Sequence, residues 1–208
     1  MPRTYTSTAK WFHWLIVFLV GLEILVGVLM PGIHRHTTPG TLINLHFSFG
    51  LTIVAVMILR LLWRLTHRVP PLPRGTPWWE AMAAHLMHFS LYVLLFIIPF
   101  AGWAWANGIG WQVVAFWIIP MPNIVPQGWQ YTRLAADAHV YLVVLICVLI
   151  GLHILASLWH WYAKKDGVLE RMLPEDRCTK CALKYFDPIR RVNPTIGRTG
   201  SKQNGGQQ

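Results

Sequence analysis

The chain has 208 residues, of which 54% are hydrophobic and only 12% are charged, and its mean hydropathy is +0.42. Soluble domains carry about 25% charged residues, so a soluble globular protein of this length is excluded. The formal net charge of +10 would suit a nucleic-acid-binding protein. The charges cluster on one side of the predicted membrane segments, however, and that class is therefore excluded as well.

Four apolar segments are long enough to cross the hydrocarbon core of a bilayer, which takes about 20 residues of helix. They run approximately over residues 11–30, 42–65, 81–106 and 135–163. No small-residue cleavage site follows the first segment, so we expect it to remain as a helix. The sequence predicts an all-α, integral membrane four-helix bundle over residues 1–173, followed by a polar, disordered tail over residues 174–208.

The basic residues predict the orientation of this bundle. Sixteen of the eighteen Lys and Arg residues lie on the side shared by the N-terminus, the second loop and the tail, and only Arg35 and Arg133 lie on the other side. This is the positive-inside bias, so both termini are predicted to be cytoplasmic. Most Trp residues fall at segment ends, where amphipathic rings prefer the headgroup level of a membrane.

The third loop, residues 107–134, is long and rich in Gly, Pro and Trp. Its apolar stretch, residues 111–120, is too short to span a bilayer, and we expect it to lie in the membrane interface on the external side.

The fourth segment carries two histidines fourteen residues apart, His139 and His153. A helix brings His153 back to within roughly 40° of the direction of His139, about 21 Å farther along the axis. In the predicted topology, His46 lies at the depth of His139 near the external side, and His13 lies at the depth of His153 near the cytoplasmic side. Two axial imidazoles suit the iron of a b-type haem. The sequence therefore predicts two haem b groups, one bound by each pair.

These histidines have two alternative interpretations besides haem binding. They could hydrogen-bond between helices, as polar residues in membrane bundles often do, although the match of four depths in two pairs favours haem. A transition-metal transporter would be expected to place carboxylates beside its histidines, and Glu23 is the only carboxylate well inside a predicted span. Two axial histidines leave no open position on the iron, which favours electron transfer over oxygen chemistry.

Three further residues fit haem binding. Arg60 lies fourteen residues after His46 and returns to the same helix face near the cytoplasmic haem level, where it could pair with a propionate. An interfacial arginine that extends towards water is the alternative. Gly50 and Gly151 leave room for a macrocycle, although glycine is frequent in membrane helices generally.

A quinone site is predicted at the cytoplasmic rim. His160 lies seven residues after His153, on nearly the same face and close to Lys164 and Lys165. It would offer a quinone ring a hydrogen-bond donor and a proton source, unless it is only an interfacial histidine.

Five other residues have no assigned role. His85 and His88 share one face of the third segment and could support the quinone pocket or lie at the interface, and Glu23 could relay protons or pair with another helix. Cys178 and Cys181 form a C-x-x-C motif in the tail, without the following His of covalent haem attachment.

The chain resembles the bacterial cytochrome b561 family over about residues 5–174, and more distantly the di-haem b subunits of formate dehydrogenases and nickel-iron hydrogenases. The motifs that carry the resemblance are His13-Trp14, Asn44-Leu45-His46 with Gly50, Arg60-Leu61-Leu62-Trp63-Arg64, Ala84-His85-Leu86-Met87-His88, His139, Gly151-Leu152-His153, and the run from Lys165 to Pro174. In the family, the positions of His13, His46, His139 and His153 are haem ligands, which agrees with the pairing by depth.

The resemblance implies a cytochrome of the bacterial inner membrane that exchanges electrons with ubiquinone, and some members oxidise superoxide at the outer face. A superoxide:ubiquinone oxidoreductase is thus one expectation for this chain. The alternative is a haem-bearing anchor that serves a separate dehydrogenase or hydrogenase. The expected partners are membrane lipid, quinone, and either such a dehydrogenase or a second copy of the chain.

Overall fold

The computed structural model describes residues 4–33, 37–73 and 75–173 of the chain. The predictions for the polar tail, including Cys178 and Cys181, lie outside these residues, as does Arg35. Four long helices account for most of the described chain: α1 (Ser7–Leu29), α2 (Thr41–Thr66), α3 (Trp78–Gly108) and α4 (Thr132–Trp159). Each corresponds to one of the four predicted segments, with ends that differ by a few residues, and the all-α membrane bundle is confirmed.

Local sequence sets the helix ends. Thr6 caps α1 by accepting a hydrogen bond from the amide of Ala9 at 3.3 Å. α3 begins directly after Pro77, three residues before the predicted start, because the residue after a proline can still enter a helix and Glu80 complements the helix dipole in the first turn. α4 continues into a π-helical turn, His160–Lys164, which ends where Lys165 adopts a left-handed conformation with φ +52°.

The four helices alternate in direction, so the bundle has two distinct ends. We call the end that holds the beginning of α1 the N-terminal end. The opposite end, where α1 ends and α4 begins, is called the hairpin end, because the connection from α3 to α4 contains a small β-hairpin there. Its strands, β1 (Val114–Ala115) and β2 (Ile119–Pro120), pair antiparallel with Val114 opposite Pro120 and Ala115 opposite Ile119.

The hairpin is a structural feature that the sequence analysis did not predict, since it expected only an apolar stretch in the interface. The hairpin is fastened to α2, because the amide of Phe116 donates a hydrogen bond to the buried Ser48 Oγ at 2.7 Å. Phe116 and Trp117 turn the chain with φ of +50° and +60°.

The core lies in the middle of the bundle. Ile16 and Leu19 from α1 pack against Ile53 and Met57 from α2, and side chains of α3, including Phe96, complete the cluster. The outward faces are apolar as well, with Val28 77% exposed and Leu155 63% exposed. Apolar residues on all sides of a helix are expected where lipid rather than water surrounds the bundle.

The fourth helix is the least buried of the four. Within the described ranges, α4 packs extensively only against α3, and Ile146 is its one buried residue. Its backbone therefore keeps some distance from α1 and α2, and histidine side chains extend across the space between them.

Candidate functional site

At the hairpin end, the structure brings together His46 of α2 and His139 of α4. Their ring centroids are 5.9 Å apart, and the ring planes are inclined by 80°. His139 Nδ1 lies 2.9 Å from the backbone carbonyl oxygen of Ile98 in α3. A carbonyl oxygen only accepts hydrogen bonds, so Nδ1 must donate this one, which leaves the Nε2 lone pair of His139 free for a ligand.

The close approach of α3 and α4 at this level depends on Gly102. A Cβ atom at position 102 would lie 2.9 Å from Nδ1 and Cε1 of His139. Only a residue without a side chain allows the imidazole to lie directly on the helix backbone. The sequence analysis missed Gly102, because nothing in a linear sequence links it to a histidine on the next helix.

Glu23 of α1 lies beside the same pair. Its Oε1 is 3.0 Å from His46 Nδ1, and both side chains are mostly buried, with exposures of 17% and 19%. The contact is at ion-pair distance but lacks hydrogen-bond geometry, and Oε2 of Glu23 has no hydrogen-bond partner. Gly50 makes room for this carboxylate, since a Cβ there would lie 3.3 Å from Oε1.

At the N-terminal end, the structure brings together His13 of α1 and His153 of α4. The ring centroids are 6.5 Å apart and the planes are inclined by 77°. Arg60 reaches this pair from α2: its Nη1 lies 3.2 Å from His13 Nδ1, and its Nε donates to the Tyr92 hydroxyl at 2.9 Å. Arg60 therefore lies at the level that the sequence analysis expected, and Tyr92 is an additional residue that it missed.

A third imidazole approaches the N-terminal-end pair. The His88 ring lies with its centroid 5.4 Å from that of His153, and its Nδ1 donates to the carbonyl oxygen of Ala84 at 2.6 Å. His85, one turn earlier, makes the equivalent bond to Ala81 and is exposed. Of these two histidines, the structure thus brings His88 to the pair and leaves His85 at the surface.

The residues predicted for a quinone site lie in and after the π-helical turn. His160 Nδ1 lies 2.6 Å from Asp166 Oδ2, whereas Lys164 forms an ion pair with Glu80 of α3. Lys165 is exposed. Asp166 was not singled out in the sequence, although its position six residues after His160 suits the tight turn between them. Gly151 faces open space, with no atom within 4 Å of the position its Cβ would take.

Each histidine pair brings one imidazole from α4 towards one imidazole from α1 or α2. Across residues 4–33, 37–73 and 75–173, no group of three or more His, Cys, Asp and Glu side chains could hold a metal ion by itself. Two opposed imidazoles are the axial ligand set of a b-type haem, whose macrocycle supplies the remaining four ligands.

Known proteins resemble the chain over most of its length. Residues 4–175 match the prokaryotic cytochrome b561 family. The probable superoxide oxidase CybB of Yersinia pestis is 30% identical over 180 residues, which cover 85% of this chain and 99% of that protein. The cytochrome b561 homolog 2 of Escherichia coli K12 is 29% identical over 178 residues, and the cytochrome b562 of Cereibacter sphaeroides is 27% identical over 175. These alignments cover 83% and 81% of this chain, and 92% and 94% of the relatives.

The fold and its paired, partly buried histidines define the class as a multi-pass membrane cytochrome. More particularly, the chain belongs to the prokaryotic cytochrome b561 family. It is thus a haem b protein of bacterial membranes that takes part in electron transfer.

Proposed function

We propose that this cytochrome holds two haem b groups, one between His46 and His139 and the other between His13 and His153, and passes electrons along the bundle between them. The observation that carries the proposal is the pair of imidazole contacts that bridge the space between α4 and helices α1 and α2. When bound, the two haems supply one-electron redox chemistry at two depths.

The ring spacing supports axial ligation. Imidazole nitrogens bind metals at about 2.0 Å, which places the centroids of two opposed axial rings roughly 6 Å apart. The observed centroid distances are 5.9 Å and 6.5 Å. Both pairs would therefore hold a haem iron between them without a large movement of the helices.

The chain's own residues prepare two of the four imidazoles for this role. Backbone or carboxylate oxygens stand at Nδ1 of His139 and His46, which orients these rings and leaves Nε2 for iron. His13 differs, because a guanidinium only donates, so Nδ1 accepts from Arg60 and the proton of the neutral ring lies on Nε2. Iron binding through Nε2 therefore requires Arg60 to release Nδ1, and its guanidinium then becomes available to a propionate.

Haem content tests the ligand assignment directly. We expect two haem b per purified chain, and one in His139→Ala, which loses the hairpin-end site, or in His153→Ala, which loses the other. His85→Ala is the matched control, because His85 is exposed and bonds only within its own helix. A single haem in the unaltered chain, or loss of haem in the His85 variant alone, would contradict the assignment.

For the reaction, we propose that superoxide is the donor at the hairpin end and ubiquinone the acceptor at the N-terminal end. The similarity to a probable superoxide oxidase supports the donor. Two superoxide ions would each give up one electron and leave as dioxygen, while the quinone takes both electrons and two protons to become quinol. The hydrogen-bonded pair of His160 and Asp166 supports proton delivery at the N-terminal end, beside Lys164 and Lys165.

Proteoliposomes that contain a short-chain ubiquinone provide the test. Superoxide generated outside should reduce the quinone only when the protein is present, and His160→Phe should slow quinol formation while leaving haem reduction by superoxide unchanged. If superoxide does not reduce the haems, the donor proposal fails. If it does but His160→Phe forms quinol at the normal rate, only the quinone site is wrong.

The hairpin supports a second candidate function, an electron-transfer anchor for a separate dehydrogenase. Its tip exposes Trp117, Ile118 and Ile119 to 52%, 80% and 57%, and exposed apolar residues of this kind also occur at docking surfaces. Copurification of a dehydrogenase, combined with no reduction of the haems by superoxide, would favour this function.

A further inference from the structure

One buried charged residue has no role in the proposed electron transfer. Lys10 of α1 is only 5% exposed, and its Nζ has no hydrogen-bond partner. It lies three residues before His13, one turn closer to the N-terminal end and on nearly the same helix face. A buried ammonium group without a partner is costly, because neither water nor an opposite charge stabilises it.

The described part of the chain offers Lys10 no counter-charge. At this end of the bundle, Glu80 is paired with Lys164, and Asp166 is paired with His160. Glu170 also has a buried oxygen without a hydrogen bond, but it forms no ion pair with Lys10. Arg60, which contacts His13, adds a second positive charge beside the same histidine. Two cations thus lie at this end of the bundle, Arg60 in contact with His13 and Lys10 one helical turn before it, and together they favour an anion.

We propose that Lys10 Nζ binds a propionate carboxylate of the haem held by His13 and His153. This inference rests on the proposed function. One helical turn separates Lys10 from His13 by about 4.5 Å along the axis, and the long lysine side chain can span the remaining distance to the edge of a macrocycle at His13. A charged ammonium–carboxylate hydrogen bond inside the bundle is strong because water is excluded there.

Burial argues for the propionate over a phospholipid phosphate, which is the other anion available in a membrane. Basic residues that bind lipid headgroups lie at the surface of the protein, where the headgroups can reach them. Lys10 is enclosed by the protein instead. An anion that belongs to a group already held between the helices reaches this position without opening the bundle.

The redox potential of the N-terminal-end haem gives the first test. A nearby cation stabilises the reduced haem, which carries one more electron, so Lys10→Met should lower the midpoint potential of this haem. The hairpin-end haem should keep its potential, and Lys10→Arg should restore the original value. Arg68→Met is the matched control, because it removes an exposed positive charge at the same end. The measurement is a potentiometric titration of purified protein, repeated in the His139→Ala background so that only one haem contributes.

Reconstitution with esterified haem distinguishes a haem propionate from a phospholipid phosphate as the anion that Lys10 binds. When the apoprotein is titrated with haem dimethyl ester, which has no propionate charge, Lys10→Met should no longer weaken binding relative to the unaltered chain, whereas it should weaken the binding of haem itself. The same loss of affinity for the ester as for haem, or no loss for either, would overturn the proposal, and a loss of bound phospholipid phosphorus in Lys10→Met would then identify a lipid phosphate as the anion.

Haem content and redox potential together distinguish a failure of the proposed function from a failure of the role of Lys10. A chain that binds no haem at His13 and His153 overturns both the proposed function and the role of Lys10. A chain with two haems, in which Lys10→Met leaves both potentials unchanged or shifts them no more than Arg68→Met, overturns only the role of Lys10.

Discussion

At the scale of single residues, Glu23 distinguishes His46 from the other proposed ligands. Its carboxylate stands 3.0 Å from the ring nitrogen that faces away from the proposed iron. Groups in this position orient the ring, and their loss typically weakens metal binding by about 10–100-fold. We expect Glu23→Leu to weaken haem binding at the hairpin end by this factor, whereas Glu23→Gln, which keeps an acceptor oxygen, should retain most of the affinity.

Haem titration of the apoprotein measures this effect, and electron paramagnetic resonance of the oxidised haems adds a reading of ring orientation. The signal of the hairpin-end haem should change in Glu23→Leu, while the other haem serves as the internal control. Equal losses at both haems would indicate general destabilisation and contradict a specific role for Glu23.

Gly102 provides a second prediction at this scale. Gly102→Ala would place a methyl group 2.9 Å from the His139 ring, so the ring must move and its hydrogen bond to Ile98 must lengthen. We expect loss of the hairpin-end haem. Gly21→Ala is the control, since no atom lies within 4 Å of its Cβ position and the change should stabilise α1 by about 0.5–1 kcal/mol. Full haem content in Gly102→Ala would show that α3 and α4 can separate at this level.

At the scale of elements, the depth of each histidine along the bundle could be predicted from the sequence. The rotation of each helix about its own axis could not. The fourteen-residue spacing of His139 and His153, combined with alternating helix directions, matched each to its partner on another helix. The contacts of Glu23 and Gly102 depend on how each helix is turned about its axis. Helices that are apolar on all sides carry little sequence signal for that rotation.

The hairpin was not predictable for a related reason. Its strands have only two residues each, and its turn places Phe116 and Trp117 at positive φ. Turns of this kind are usually recognised by Asn-Gly or Asp-Gly pairs, which are absent here. The structure shows what holds the turn instead, namely the hydrogen bond from the Phe116 amide to Ser48.

Replacing Ser48 should therefore loosen the hairpin without disturbing the bundle. Ser48→Ala leaves the Phe116 amide without its partner, at a cost of about 1–3 kcal/mol. Hydrogen exchange of the hairpin amides should accelerate accordingly, as measured by mass spectrometry in nanodiscs. Thr52→Val is the control, because the Thr52 hydroxyl bonds only to the Ser48 carbonyl within α2. Unchanged exchange in Ser48→Ala would mean that other contacts fasten the hairpin.

At the scale of the whole molecule, the direction of electron flow depends on which end of the bundle faces the cytoplasm. The asymmetric distribution of basic residues predicts that the N-terminal end faces inward. Superoxide would then meet the hairpin-end haem outside, and quinol formation would take its protons from the cytoplasm.

Cysteine labelling tests this orientation on intact spheroplasts. In a chain whose three native cysteines have been replaced, Asn123→Cys in the connection between α3 and α4 should react with a membrane-impermeant maleimide. Leu72→Cys, which is also exposed but lies between α2 and α3, should react only after lysis. The two variants control for each other, because both positions are accessible in the protein itself. The reverse pattern would place the hairpin in the cytoplasm, and superoxide produced outside the cell could then reach only the haem of His13 and His153.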